Sequence, residues 1–169
     1  MDHVASPAQM RRVLGSFASG VVVVTGEDDG APVGITCQSF ASVSLDPPFV
    51  LFCPARSSSS WPRIQRSGRF VVNVLAGDQQ DVCDRFATRA VDKFAGVSWH
   101  ATAWGPSLEG ALATVRCTVE AVHPGGDHHV VVGRVEQLMT HREDDPLVFF
   151  RGAYGLAPGQ GPVVPDPGA

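Results

Sequence analysis

The 169-residue chain is 44% hydrophobic and 18% charged, with a formal net charge of −4 and a pI near 5.8. That is enough apolar matter for one folded domain and too few charges for a disordered chain. The acidic balance excludes the basic face that general nucleic-acid binding requires, and no apolar run nears the roughly 20 residues that cross a bilayer.

The opening stretch, MDHVASPAQMRR, carries no apolar signal core, so a cytoplasmic location is expected. Taken in chain order, Ser6-Pro7 opens a predicted helix, with serine as cap and proline in the first turn. Met10, Val13, Leu14 and Phe17 recur at helical spacing and give it an apolar stripe; Gly15 weakens its centre and Gly20 ends it. Residues 21–25 form a β-branched strand, EDDG (27–30) turns the chain, and residues 31–36 return as a hairpin partner. A short strand is expected over 39–44, broken by Asp46-Pro47-Pro48. Residues 49–53 are continuously apolar, which predicts a strand buried on both faces.

Ser60 is expected to cap a short helix, with Pro62 in its first turn and Gly68 beyond its end. Residues 69–75 read as a strand, and Asp78 as the cap of a helix that turns Val82, Cys83, Phe86 and Ala87 inward. Residues 88–111 carry no regular pattern. Residues 112–123 and 127–139 predict a long hairpin about a PGG turn, and 147–151 a last strand. Residues 1–155 are thus the expected domain, and 156–169 a loose tail rich in Pro and Gly. Strands outnumber helices without regular βαβ alternation, so the expected fold is mainly β with short helices, an antiparallel sheet closed into a barrel.

Three stretches carry polar chemistry. Ser57, Ser58, Ser59 and Ser60 follow an apolar strand and Arg56. Four hydroxyls, their backbone N–H groups and a helix start form a workable anion cradle, with Arg56 as a formal charge. By composition alone the same run is a solvated loop with one helix cap, and both readings stay open. Thr36–Ser39, TCQS, is polar between apolar stretches and reads as a pocket lining, or as an edge strand or bulge. In HPGGDHH (123–129), His128 and His129 are adjacent, so on a strand they point to opposite faces and share one metal ion poorly. A ring-orienting histidine and a turn with exposed histidines are the remaining readings. The four cysteines make no CxxC pair, so no zinc clip is expected, and three of them sit in apolar, core-like contexts. No GxGxxG, GxxxxGK[ST] or GxSxG motif is present, so any cofactor is held by other means.

Together these stretches resemble the short-chain flavin reductases, the reductase components of two-component flavin monooxygenases. The likeness covers residues 8–155 in six ordered segments: VLGSFASGVVVVT, PVGITCQSFASVSLDPPFVLFC, SSSSWPRIQRSGRFVVNVL, DRFA with DKFAGVSW, CTVEAVHPGGDHHVVVGRVE, and PLVFFRGAY. Within that family it is most similar to the branch that serves the hydroxylase of a phenolic secosteroid. The resemblance implies a split β-barrel with a Greek-key core, and a homodimer with the flavin near its interface. It implies that Thr36, Cys37, Gln38, Ser39 and Phe40 line the isoalloxazine, with Ser42 and Val43 beside it. Ser57, Ser58, Ser59, Ser60 and Trp61 would surround the ribityl phosphate, and Phe86 and Lys93 would complete the flavin site. Many relatives carry a basic residue in the phosphate loop. Here that loop is all serine, so Arg56 or Lys93 is left to supply the charge.

By the same resemblance His128 contacts the nicotinamide nucleotide, the segment Arg151, Gly152, Ala153, Tyr154 approaches it, and Arg11 to Leu14 of the first helix lie near it. The implied reaction is hydride transfer from NADH, with NADPH as the alternative donor, to FMN or FAD. Reduced flavin then diffuses to a separate monooxygenase. The two rings carry the electrons, so no protein acid or base is assigned and His128 is an orienting contact. The rival readings are a flavin- or haem-binding split barrel without turnover, a pyridoxamine-phosphate-type oxidase and a zinc enzyme built on the histidine turn.

Overall fold

The computed structural model describes residues 5–89 and 92–155. The expected tail, 156–169, lies outside the described residues. In chain order the elements are α1 (Pro7–Leu14), β1 (Ser19–Gly20), β2 (Val22–Asp28), β3 (Ala31–Cys37), β4 (Ala41–Leu45), β5 (Pro48–Phe52), α2 (Trp61–Ser67) and β6 (Arg69–Val74). They continue with α3 (Gln80–Ala87), β7 (Trp99–Thr102), β8 (Gly105–Leu108), β9 (Ala113–Gly125), β10 (His128–Thr140), β11 (Val148–Phe150) and β12 (Ala153–Tyr154).

Seven strands make the main sheet in the order β3-β2-β6-β9-β10-β5-β4, antiparallel throughout. The local hairpins β2–β3, β4–β5 and β9–β10 are interleaved by β6, which enters between β2 and β9 after α2 has carried the chain across. β3 and β4 end the order without pairing with each other, so the closed sheet expected from strand spacing is corrected to an open, split one. The gap does not cost the core its filling: Trp61 and Ile64 of α2 pack into the same cluster as Phe52, Phe70, Val72, Cys117 and Val131.

The run of four valines at 21–24 shows why β2 is central. Val22 and Val24 point into that first cluster, while Val21 and Val23 point the other way, against Leu75, Cys83, Phe86, Leu108 and Leu147. A strand with a two-residue side-chain period and no polar face is buried on both sides. Asn73 ties the two halves together: its Nδ2 donates to the Val23 carbonyl and to Thr25 Oγ1, each at 3.0 Å, and its Oδ1 accepts from Leu108 N at 2.8 Å.

Several local expectations are corrected. α1 begins where expected, with Ser6 and Gln9 forming a reciprocal capping box, but it stops at Leu14 with Gly15 as its C-cap. Its apolar stripe is not buried: Val13 is 63% and Phe17 80% exposed. β5 is not buried on both faces, because Phe49 turns outward to a half-buried place under the Arg134 guanidinium, 5.1 Å from its ring centre. Residues 88–111 hold a regular hairpin, β7–β8, anchored by the Leu108 bond to Asn73 and by Thr25 Oγ1, which donates to the Pro106 carbonyl at 2.5 Å. Asp78 does not cap α3. It pairs with Arg142, and Gln79 occupies the cap position, its side chain accepting from Ala76 N and donating to the Glu109 carbonyl. Ala87 is exposed rather than inward. β11 is not the last strand, since Arg151 and Gly152 turn the chain into β12.

Candidate functional site

The serine corner is built by the exit of β5. Pro54 O accepts from His129 N and Arg56 N donates to Asp127 O, both at 2.9 Å, so the loop after β5 is pinned to the β9–β10 turn. Ser58 then folds back: its Oγ accepts from Ser60 N at 3.2 Å and from Trp61 N at 3.1 Å. Ser60 holds the helix cap position but makes no side-chain cap bond, so Ser58 does the capping that sequence assigned to Ser60. Gly68 closes α2 in the left-handed conformation, φ 67°, as expected of a C-cap glycine.

Opposite this loop lies the end of β3. As the terminal strand of the sheet it pairs only with β2, so one row of its backbone groups meets no strand. Thr36 Oγ1 donates to the Cys83 carbonyl at 2.7 Å, which fixes the strand end to α3. Ser39 Oγ accepts from Cys53 N at 2.9 Å and ties it to the end of β5. Between the two lies a cavity of about 480 Å³, lined by Thr36, Cys37, Gln38, Ser39, Ser57, Ser58, Ser59, Ser60, Phe86, Lys93, His128 and Tyr154 among others. Among the described residues no aspartate or glutamate lines it, while Lys93 and Arg89 do.

The electrostatics are specific. Lys93 Nζ donates to Phe86 O at 3.0 Å, Gly34 O at 3.2 Å and Ser60 Oγ at 3.3 Å. Burial lowers its pKa below the ordinary lysine value. His128 Nδ1 lies 2.7 Å from Asp127 Oδ1. A carboxylate only accepts, so Nδ1 carries the proton and Nε2 remains for other contacts. That bond, with the charge of His128, holds the Asp127 carboxyl below the usual range. Cys83 Sγ is 3.2 Å from Tyr154 Oη; burial pushes up both the thiol and the phenol. Burial pushes the Cys37 thiol up to about 12, which makes it a wall rather than a nucleophile. Among the described residues no group of three His, Cys, Asp or Glu is placed to hold a metal ion.

The cavity thus brings together most of the residues that sequence singled out. Phe40 packs half-buried against the first core cluster, Ser42 and Val43 lie exposed at the bulge of β4, and Trp61 is buried edge-on to Phe52; none of the four lines the cavity. Arg11 and Arg151 border a second hollow of about 530 Å³ with Arg12 and Gly152, while Leu14 is exposed beside it. Arg56 is turned out of the first cavity, its Nη1 3.5 Å from the Gly126 carbonyl. Cys53, Pro54, Ala55, Thr88 and Arg89 line the cavity without having been singled out. Their only signal was adjacency to the serine run and to Phe86.

The cavity thus joins a free strand edge, a hydroxyl-rich loop and two cations, a set of groups that can bind polar and anionic atoms. Residues 14–157 match the flavin reductase like domain, and the chain belongs to that family. It is 53% identical over 163 residues to the flavin-dependent monooxygenase reductase subunit HsaB of Rhodococcus jostii, covering 95% of this chain and 83% of that protein. Among solved structures it is similar to a nitrilotriacetate monooxygenase component B homologue from Mycobacterium thermoresistibile, with TM-score 0.87 and 49% identity over 93% of this chain and 90% of that one. It is also similar to the NADH:FAD oxidoreductase SgcE6 of Streptomyces globisporus, whose structure holds NAD and FAD fragments. The TM-score there is 0.85, with 33% identity over 94% of this chain and 99% of that one.

Proposed function

We propose that this chain is an NADH-dependent flavin reductase that supplies diffusible reduced flavin to a separate monooxygenase acting on a phenolic, steroid-derived substrate. The observation that carries the reading is one cavity in which the β3 edge, Ser57–Ser60, Lys93, His128 and Tyr154, far apart in sequence, share a wall. The residues fit a flavin. The unpaired edge of β3 offers backbone donors and acceptors to a heterocycle, and the serine loop offers hydroxyls to a phosphate. The relatives' names, a monooxygenase reductase subunit and an NADH:FAD oxidoreductase, support the donor and the partner class.

When both are bound, the flavin and the nicotinamide supply the redox chemistry themselves, by passage of a hydride from one ring to the other. The chain's own residues position and shield. Cys37 and Phe86 present apolar walls; Thr36 and Ser39, each hydrogen-bonded to a neighbouring element, keep the strand end rigid. His128, oriented by Asp127, and Tyr154, held by Cys83, line the same cavity and would be the residues to meet the nicotinamide. No side chain is required to take a proton in the hydride step, so rigidity and stacking distance set the rate. The exposed stripe of α1 and the arginines of the second hollow support a homodimer and a seat for the remainder of the dinucleotide.

The test is steady-state kinetics crossing FMN, FAD and riboflavin with NADH and NADPH. The reading expects turnover that depends on added flavin, with NADH the better donor. Flavin bound stoichiometrically with no nucleotide oxidation would favour a flavin-binding module instead.

A further inference from the structure

We infer that Arg89 grips the 5′-phosphate of the bound flavin, the anion that FMN and FAD share and riboflavin lacks. The inference rests on the flavin-reductase reading above and names the charged partner that the all-serine loop does not contain. A phosphate monoester carries about −1.5 to −2 charges near neutral pH and takes several donors. The donors around the cavity can be counted one by one. The Ser58 hydroxyl accepts from two backbone N–H groups and that of Ser60 accepts from Lys93, which leaves each only its own neutral O–H to give. An ammonium has three donors, and Lys93 spends all three on Phe86 O, Gly34 O and Ser60 Oγ. Arg56 points to Gly126 and is not in the wall.

Among the cations this leaves the Arg89 guanidinium, which stands with the exposed hydroxyls of Ser57 and Ser59. Among the described residues none of these three side chains has a hydrogen bond or ion pair, and all three residues line the cavity. Arg89 is also on the correct side. Lys93 bridges Phe86 O, in the last turn of α3, to Ser60 Oγ, which clamps the end of that helix against the serine loop, and Arg89 follows Phe86 by three positions. The carbonyls there do not repel an anion, because Lys93 covers that of Phe86 and Thr88 Oγ1 donates to that of Arg85 at 2.8 Å. A planar guanidinium matches phosphate oxygens two at a time, and no carboxylate in the wall competes for it.

The test is equilibrium titration of FMN and of riboflavin, read by flavin fluorescence without nucleotide, on the native protein, Arg89→Gln and Arg89→Lys. Losing a hydrogen bond to a charged group predicts that Arg89→Gln weakens FMN about ten- to a hundredfold. Riboflavin affinity stays unchanged, and Arg89→Lys recovers part of the loss. Because Arg89 is exposed, thermal unfolding of the variants should match the native protein. Arg89→Gln keeping the native ratio of FMN to riboflavin affinity would overturn the inference. So would equal loss of both ligands, or a native protein that does not distinguish them. If the native protein reduces flavin but the ratio is unmoved, only Arg89 is contradicted; if it binds no flavin, the function proposed above falls with it.

Discussion

Gly34 lies so close to Phe86 that a Cβ added to it would sit 2.5 Å from Phe86 Cε1, a separation real Cβ contacts do not show. Gly34 also gives its carbonyl to Lys93. One residue therefore sets how near α3 approaches β3, and so the width of the cavity between them. Gly34→Ala must displace a fully buried ring, and overpacking of this kind costs about 1–3 kcal/mol. Chemical denaturation should show that loss together with weaker flavin binding. Gly20→Ala, where an added Cβ meets nothing, should stay within about 0.5 kcal/mol of native.

Ser58 and Ser60 should separate in the same measurement. Ser58→Ala removes the acceptor for two backbone N–H groups at the start of α2, worth about 0.5–2 kcal/mol by the usual cost of a lost cap. Ser60→Ala removes no cap bond and only one of three Lys93 contacts, so its loss of stability should be the smaller. The reverse order would mean that Ser60 is the cap after all.

Acid should act through Asp28. Hydrogen bonds from Arg66 and Arg63 hold its carboxyl below the ordinary value of 3.8. The native state thus binds a proton less readily than the unfolded chain. The stabilisation is complete above pH 3.8 and is lost as pH falls through the lower native value. Asp28→Asn should be less stable than native at neutral pH, and the difference should shrink below pH 4 in denaturation curves. A difference independent of pH would contradict this assignment.

The thiols predict a labelling pattern. Cys37 and Cys117 are buried and pushed up to about 12, and burial raises Cys83 too; Cys53 is only half-buried and lines the cavity. Since the thiolate is the reactive form, native protein at mildly alkaline pH should label at one site per chain, Cys53. Added FMN should slow that reaction. Mass spectrometry of labelled peptides checks both points.

The sequence was most legible where pattern and pairing are local. The β9–β10 hairpin is legible as a pair, although Pro124 and Gly125 of the expected PGG turn are paired in β9 and the chain turns at Gly126-Asp127; Ser6-Pro7 opens α1, and the valines of 21–24 form a buried strand. It was least legible where a distant residue decides. β7–β8 is short and has no β-branched run, and its place is set by Asn73 and Thr25 from other strands. Asp78 reads as a cap until Arg142 claims it. Whether the sheet closes depends on β3 and β4, whose failure to pair leaves no mark in either stretch. In the site, resemblance pointed to the strand end and the serines, whereas Arg89 was marked only by its place three positions after Phe86, because a single arginine after a helix has no periodicity to betray it.

The central claim is that one cavity on this sheet holds a flavin and a reduced nicotinamide face to face. The most direct measurement is anaerobic mixing of NADH with FMN, with and without the protein, following the loss of oxidised flavin absorbance. The account predicts acceleration that is proportional to protein concentration and saturates in both reactants. A rate equal to that of the uncatalysed mixture would contradict it.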